Sequence, residues 1–256
     1  MVNVFKFKAT VTYDGTGFHG WQRQVGGKTI QSEIEQVLLK IFQQQVKIQS
    51  SGRTDSGVHA TRHVISFCLL KDMSPEKIKN AMNALLPAQI RIKEVLPVRE
   101  NFHPRYDAKK KVYRYLITNF NSPFLINKAW NIPETLNLKE MKKAASYITG
   151  THDFTSFQAS GRTVKNPVRT IEYIKIRKEK FCIDPEIRVI VIEICGTGFL
   201  YKMVRNIVGT LVDVGRGKIL PSQIKQIIDG RDRKLASATA PSCGLYLSDV
   251  IYGDKK

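Results

Sequence analysis

The spacing of apolar and polar residues divides the first part of the chain into six predicted elements. Residues 4–13 alternate between the two classes, as in a strand with one buried face. Thr29 precedes apolar residues at helical spacing up to about Gln44, which predicts a capped helix. The elements predicted next are strands over residues 46–49 and 64–70, a helix from Ser74-Pro75, and a strand over residues 90–98.

The second part of the chain repeats this order and adds one short helix. The elements predicted there are a strand over residues 106–118, a helix capped by Asn137 that ends near Gly150, strands over 170–183 and 187–195, helices over 199–214 and 221–229, and a strand over 245–252. No sequence identity is visible between the two parts. The predicted duplication therefore rests on the order of the elements.

This order predicts an α+β fold built from two tandem βαββαβ halves, of the ferredoxin or RRM type. The first half is predicted over residues 1–105 and the second over residues 106–256. We expect the two halves to form one continuous, mixed and mainly antiparallel sheet. Its helices would cover one face, and a central cleft would lie on the other.

The charge balance favours a polyanionic partner. The 256 residues include 41 Lys and Arg against 22 Asp and Glu, a formal net charge of +19. Such an excess favours nucleic acid as the partner. A membrane surface is a weaker alternative, because the predicted helices do not set one basic face against a bulky apolar one. No apolar run is long enough to span a membrane and residues 1–14 lack a secretory pattern, so we expect a cytoplasmic protein without a membrane partner.

The cysteine pattern favours neither a metal site nor redox chemistry. Cys68, Cys182, Cys195 and Cys243 lie far apart, and no C-x-x-C pair occurs. We expect reduced thiols, with Cys68 and Cys195 buried in apolar runs.

A polar segment over residues 51–60 lies between two predicted strands and is the first candidate for a reactive site. It contains a single carboxylate, Asp55, close to the guanidinium of Arg53, together with hydroxyls, an imidazole and two glycines. Carboxylate and guanidinium groups bind and orient charged or polar substrates. The same residue types also build ordinary turns, so the segment alone leaves both interpretations open.

A second glycine-rich loop, residues 15–20, fits the pattern G-x-G-x-x-G and suggests a nucleotide-binding oxidoreductase as an alternative function. In a dinucleotide-binding unit, this pattern opens a helix directly, and an acidic residue follows the second strand. Here the next helical spacing begins only near Thr29, and no such acidic residue is present. The context therefore argues against a nicotinamide cofactor.

Aromatic and arginine side chains outside the apolar stripes are candidates for RNA contacts, since unstacked bases need stacking planes and phosphates need cations. The aromatic and histidine candidates are Phe18, His19, Trp21, Tyr113, Tyr115, His152, Phe154 and Phe157. The arginine candidates are Arg23, Arg53, Arg62, Arg105, Arg114 and Arg162. For Trp21 and Phe157, core packing is an equal alternative. Arg205, on an otherwise apolar predicted helix, is either a surface arginine or a buried one paired with a carboxylate.

Several sequence blocks together resemble one enzyme family. The blocks are Tyr13-Asp14-Gly15-Thr16 with Phe18 and Gly20-Trp21-Gln22, then Gly52-Arg53-Thr54-Asp55-Ser56-Gly57-Val58-His59-Ala60, Tyr113-Arg114-Tyr115, Gly150-Thr151-His152-Asp153-Phe154, Phe199-Leu200-Tyr201-Lys202-Met203-Val204-Arg205-Asn206-Ile207-Val208-Gly209 and Gly244-Leu245-Tyr246-Leu247. The chain resembles the TruA family of tRNA pseudouridine synthases over nearly its whole length. The resemblance implies the pseudouridine synthase fold.

The resemblance also implies roles for individual residues. Asp55 matches the catalytic aspartate, Arg53 an arginine that helps to flip the target nucleotide, Tyr113 the tyrosine that stacks on the uracil, and Arg205 the basic residue that pairs with the aspartate. Further RNA contacts are expected at Phe18, Gln22, Arg23, His59, Lys109, Lys110, Lys111, Arg162 and Leu245. The family modifies uridines 38 to 40 in the anticodon stem-loop of tRNA. It uses neither metal nor organic cofactor and acts as a homodimer.

The residue types suit this reaction. Isomerisation of uridine to its C-glycoside adds no atoms and has no net redox change, so one carboxylate can serve as nucleophile or as base. Residue types alone do not distinguish these two routes. A non-catalytic RNA-binding or RNA-chaperone module, using the basic charge and the aromatic residues, is the alternative function.

Overall fold

A computed structural model of the chain describes residues 4–161 and 164–253. Over these residues the chain forms ten strands and five α-helices. The strands are β1 (Phe5–Tyr13), β2 (Gln49–Ser50), β3 (His59–Leu69), β4 (Ile90–Pro97), β5 (Ala108–Thr118), β6 (Trp130–Asn131), β7 (Gly150–Asp153), β8 (Val168–Lys180), β9 (Arg188–Gly196) and β10 (Leu245–Tyr252). The helices are α1 (Ile30–Phe42), α2 (Pro75–Leu85), α3 (Leu138–Ile148), α4 (Met203–Gly215) and α5 (Gln223–Gly230).

Contacts within the chain define two compact units. The first comprises Met1–Lys109 and Tyr246–Lys256, and the second comprises Lys110–Leu245. Strand β10 therefore lies almost entirely in the first unit, although the chain reaches it only after the second. The sequence pattern identified this strand but placed it at the end of the second series. The division into halves 1–105 and 106–256 stays a prediction.

The sheet of the first unit has the order β4-β1-β3-β10, and β2 also pairs with β3. Strand β1 is antiparallel to both β3 and β4, whereas β10 runs parallel to β3. Alternation in β1 buries Phe7, Ala9, Val11 and Tyr13, as its sequence predicts. Helix α2 packs on β4 and contacts α1.

Local capping signals define the starts of three helices. Thr29 caps α1 in a capping box, since its side chain accepts from Ser32 N and the Ser32 side chain accepts from Thr29 N. Asn137 caps α3 by accepting from the backbone N–H groups of two residues in the first turn. Pro75 begins α2 as predicted, but the preceding Ser74 makes no side-chain capping bond. These local signals correctly predicted where the three helices start.

The sheet of the second unit has the order β5-β9-β8-β7, all antiparallel, and β6 runs parallel to β5. Helix α3 packs on α4 and on β8. The short strands β6 and β7 were not predicted. With two to four residues each, they are too short to show a period.

The α+β fold with mainly antiparallel strands is confirmed, and most long elements match their predicted ranges to within a few residues. Helix α4 begins at Met203 rather than at 199, because Lys202 takes a left-handed φ of 56°. Strand β3 begins at His59 rather than at 64. The polar loop therefore comprises residues 51–58, and His59 belongs to the sheet.

Two further expectations concern membranes and thiols. Among the described residues, no helix is long and apolar enough to cross a bilayer. The four cysteines are free thiols: Cys195 is buried, Cys182 is exposed, and Cys68 and Cys243 are half-buried. The predicted burial is confirmed for Cys195 and only partial for Cys68.

Candidate active site

The polar loop of residues 51–58 connects β2 to β3 and is fixed at both ends by its own backbone. Ser51 N donates to Val64 O at 2.8 Å. Val58 N donates to Asp55 O at 3.1 Å and so closes a turn that begins at Asp55. Within this turn Asp55 is half-buried, and the nearby Arg53 side chain is exposed. The loop thus presents one carboxylate from an ordered backbone.

Thr54, directly before Asp55, is held by both its side chain and its main chain. Its hydroxyl lies 2.8 Å from the hydroxyl of Tyr13, and that hydroxyl lies 2.9 Å from Nδ1 of His63. Its carbonyl accepts from Trp21 N at 3.0 Å. All four residues are buried, and the Trp21 ring lies on the His63 ring with centroids 4.0 Å apart. Trp21 is thus a core residue, one of the two alternatives that its sequence position left open.

The glycine-rich loop after β1 packs directly against the Asp55 loop. A Cβ at Gly20, where φ is +83°, would lie 2.7 Å from Thr54 O, and one at Gly15 would lie 2.1 Å from Val58 O. Only glycine permits such close approach of two backbones. The Ser56 hydroxyl also donates to Phe18 O at 3.0 Å. The first and last glycines of the G-x-G-x-x-G pattern, Gly15 and Gly20, therefore support the polar loop. The next helix starts ten residues after Gly20, at Ile30.

His59 is enclosed at the start of β3. Its ring stacks on Tyr246 of β10 with centroids 4.6 Å apart. Its Nδ1 atom lies 3.0 Å from Oδ1 of Asp14 and 3.1 Å from Gly15 N. With 2% of its surface exposed, His59 connects β10, β3 and the glycine-rich loop.

In the second unit, Arg205 projects from the first turns of α4 and is half-buried. Its Nε donates to Ala240 O at 2.7 Å, and Ala240 N donates to Arg205 O at 3.2 Å. This reciprocal pair of bonds fixes the direction of the guanidinium. The exposure of Arg205 is therefore intermediate between the two alternatives from the sequence, a surface arginine and a fully buried one.

Asn206, next to Arg205, is buried and anchors residues 233–240, the segment that contains Ala240. Its Nδ2 donates to Phe157 O at 2.7 Å, while its Oδ1 accepts from Thr239 Oγ1 at 2.6 Å and from Arg233 Nη2 at 3.2 Å. Arg233 also donates to the carbonyl of Ser237. The segment that orients Arg205 is therefore attached to α4 by side chains that the sequence analysis did not single out. The sequence signal that could have identified Asn206 is a polar residue within an apolar helical stripe.

Tyr113 and Tyr115 lie on β5 of the second unit. The Tyr113 side chain is 9% exposed, and its ring meets Phe199 edge-on at 5.1 Å. Tyr115 is fully buried, and its hydroxyl donates to Pro241 O at 2.7 Å. Burial raises the pKa of the Tyr115 phenol far above its ordinary value, so the group stays protonated as a donor.

Comparison with known proteins identifies the family. A family described as tRNA pseudouridine synthase matches residues 9–107 and 144–253. The chain belongs to the TruA family of tRNA pseudouridine synthases. Enzymes of this family isomerise uridine to pseudouridine in tRNA, and the chain is therefore an isomerase.

Relatives in the family align over nearly the whole chain. The tRNA pseudouridine synthase A of Acetivibrio thermocellus is 43% identical over 247 residues, which cover 96% of this chain and 98% of the relative. That of Thermotoga sp. (strain RQ2) is 44% identical over 95% of this chain and 98% of the relative. That of Pseudothermotoga lettingae is 44% identical over 96% of this chain and 99% of the relative.

The family match includes Asp55 and Arg205, whereas Tyr113 and Lys109–Lys111 lie between the two matched ranges. Of the residues predicted to contact RNA, Gln22, Arg23 and Lys109 are exposed, Lys110 and Lys111 are half-buried, and Phe18, His59 and Leu245 are buried. Arg162 lies outside the described residues. These RNA contacts remain predictions.

Phe18 and His59 are the two buried candidates whose surroundings are most informative. Phe18 is 3% exposed, and the Lys28 ammonium lies 5.0 Å from its ring centroid. This is the exposure of a core side chain. Both side chains serve the packing of the glycine-rich loop in this conformation.

Ion pairs involve several of the candidate arginines. Arg62 Nε lies 3.0 Å from Asp249, and Arg23 Nη1 lies 3.8 Å from Glu35. Arg114 Nε donates to Glu193 at 2.7 Å. Burial acts to raise the pKa of Glu193, but the hydrogen bond and charge of Arg114 outweigh it and hold that pKa below its ordinary value.

Gly209, the last residue of the family block on α4, gives a prediction about stability. Alanine in a helix interior normally stabilises by about 1 kcal/mol relative to glycine. Here a Cβ would lie 2.0 Å from Ala238 O, a backbone atom. We expect Gly209→Ala to destabilise the protein by about 1–3 kcal/mol, as overpacking does, measured by urea unfolding.

Gly230→Ala is the matched control for this change. The added Cβ at the end of α5 would meet only the flexible end of the Leu235 side chain, which can move aside. We expect no loss of stability there. A Gly209→Ala protein as stable as the Gly230→Ala protein would contradict close packing of the segment against α4.

Proposed function

We propose that this enzyme converts uridine to pseudouridine in the anticodon stem-loop of tRNA, at positions 38 to 40, with Asp55 as the reacting carboxylate. The observation that carries the proposal is the loop of residues 51–58. In this loop Asp55 is half-buried and directly follows Thr54, which is fixed by hydrogen bonds with Tyr13 and Trp21. An ordered loop with a single carboxylate is what this isomerisation requires.

The proposed chemistry needs only side chains. The N-glycosidic bond of uridine breaks, the uracil turns, and C5 bonds to C1′. Asp55 serves this sequence as an ionised group, either by nucleophilic attack or by removing a proton from the sugar. Arg205 is the basic residue that the family resemblance pairs with Asp55 in the reaction. Because no atom is added and no net redox change occurs, the reaction is consistent with the family's use of neither metal nor organic cofactor.

The target base must leave its stack before it can react. Tyr113 is proposed to stack on the extruded uracil, and its edge-on contact with Phe199 at 5.1 Å supports a fixed ring plane. Arg53, exposed on the loop that carries Asp55, is proposed to hold the flipped nucleotide. Arginine suits this task because its planar group binds phosphate oxygens in pairs.

The partner is tRNA, and the net charge of +19 suits its phosphate backbone. We extend the family resemblance to a homodimer in which two copies share one tRNA, and to a cytoplasmic location. Exposed basic residues such as Arg23 and Lys109 are proposed contacts with the tRNA backbone.

The test is a map of pseudouridine in total RNA from cells with and without this protein. We expect pseudouridine to disappear at positions 38 to 40 of tRNA in the deletion strain and to return when the gene is restored. Loss at other tRNA positions or in another RNA would contradict the proposed substrate. An unchanged map would favour the alternative, an RNA-binding or chaperone module without catalysis.

A further inference from the structure

We propose that Tyr13 and His63 are positioning residues for Asp55. They form a buried hydrogen-bonded chain, from His63 through Tyr13 to Thr54. This chain fixes the position of the Asp55 carboxylate during the reaction. The inference rests on the proposed catalytic role of Asp55. It assigns a task to the tyrosine that begins the first family block and to a histidine outside the blocks.

The chain of hydrogen bonds joins two central strands to the loop. Tyr13 ends β1, and His63 lies within β3, the neighbouring strand. The register between these strands shifts between Val11 and Tyr13: Val11 lies opposite His63, whereas Tyr13 lies opposite Ala60. One extra residue on β3 thus forms a bulge beside the loop. Bulges of this kind redirect side chains near active sites.

The buried hydroxyl of Tyr13 has two partners. It lies 2.9 Å from Nδ1 of His63 and 2.8 Å from Oγ1 of Thr54. A phenol carries one proton, so it donates to one partner and accepts from the other. In a region this buried, such bonds are stronger than in water, and an unsatisfied member is costly. Thr54 therefore has one strongly preferred position.

Thr54 passes this restraint to Asp55 through a single peptide bond. Its carbonyl is fixed by Trp21 N at 3.0 Å, and its side chain is fixed by Tyr13. If the hydroxyl bond is lost, the Trp21 bond remains, so the loop stays folded but Thr54 can rotate. Such a rotation moves the Asp55 carboxylate relative to the sugar. A misplacement of about 1 Å can cost on the order of 100-fold in rate.

The test compares four single variants and one double variant of the full-length protein in single-turnover reactions with excess enzyme over tRNA. Tyr13→Phe removes both links and keeps the ring, whereas Thr54→Val removes one end and keeps the side-chain shape. We expect each to slow pseudouridine formation by about 10- to 100-fold, because the carboxylate is misplaced. The affinity for tRNA should not change, since neither hydroxyl is proposed to contact RNA.

Two further variants separate positioning from general stability. Thr54→Ser retains the hydroxyl and should restore most of the rate that Thr54→Val loses. Tyr252→Phe, in the same unit, removes a hydroxyl that donates to Pro104 O at 2.7 Å and should react at the unmodified rate. The double variant Tyr13→Phe/Thr54→Val should be no slower than the slower single variant, because both changes break the same link.

Unmodified rates in both Tyr13→Phe and Thr54→Val would overturn the inference. So would a Thr54→Ser protein as slow as Thr54→Val, or a Tyr252→Phe protein as slow as Tyr13→Phe. If Tyr13→Phe fails to fold, the Thr54→Val and Thr54→Ser pair decides the question. An Asp55→Asn enzyme that remains active would instead refute the proposed function, so the two failures are distinguishable.

Discussion

Replacement of Asp55 by asparagine should abolish pseudouridine formation while leaving tRNA bound. Asparagine has nearly the same shape but provides neither a nucleophilic carboxylate nor a base. We expect the single-turnover rate to fall by about 10²- to 10⁴-fold or more, since the group that moves the proton or attacks the substrate is lost. The affinity for tRNA should be retained, because phosphate contacts supply most of it.

Asp72→Asn is the control for Asp55→Asn. It makes the same chemical change at an exposed residue between β3 and α2, and full activity is expected. The rate is measured on tRNA transcripts by direct detection of pseudouridine, and affinity by filter binding of the same transcripts. Turnover by Asp55→Asn at the unmodified rate would show that the aspartate is not catalytic.

Replacement of Arg205 by methionine should reduce turnover much more than tRNA binding. Methionine keeps part of the packing but removes the guanidinium proposed to pair with Asp55, and with it the bond from Nε to Ala240 O. Loss of one preorganised hydrogen-bond donor typically costs about 10²- to 10³-fold in rate, and we expect a loss of that size here. Arg205→Lys should recover little, because lysine lacks the planar fork that can bond the carbonyl and a second group together.

Arg216→Met is the matched control for Arg205→Met. Arg216 follows the last turn of α4, is also half-buried, and lies 3.3 Å from Glu134. Its loss should leave turnover unchanged. Unimpaired turnover by Arg205→Met would remove this arginine from the reaction. Equal losses in both variants would attribute the effect to α4 as a whole.

Short-range signals made much of this fold predictable. The alternation in β1 and the capping residues Thr29 and Asn137 involve neighbours in sequence, and the structure confirms the elements that they predict. The partner of β10 was not predictable in this way. Its parallel pairing with β3 joins residues almost 190 positions apart, and apolar alternation within either strand does not specify it.

The candidate site was predictable in part, and for a physical reason. Asp55 and Arg53 stand out because polar residues between two apolar strands must be on a loop. The supporting groups do not stand out, because they act through tertiary hydrogen bonds between distant segments. Tyr13 and His63 support the loop that carries Asp55, and Asn206 anchors the segment that orients Arg205. Composition did not show that Phe18 is buried, because a glycine-rich loop can turn an aromatic ring inward or outward.

The place of β10 has a consequence for synthesis on the ribosome. The strand edge at His59 and Ala60, which β10 covers, emerges long before β10 itself is made. At usual elongation rates, the intervening Lys110–Leu245 takes on the order of ten seconds to translate. During that time the nascent first unit has an open strand edge, a template for pairing with other chains. The need for chaperones should therefore be greatest during translation, before the last strand closes the edge.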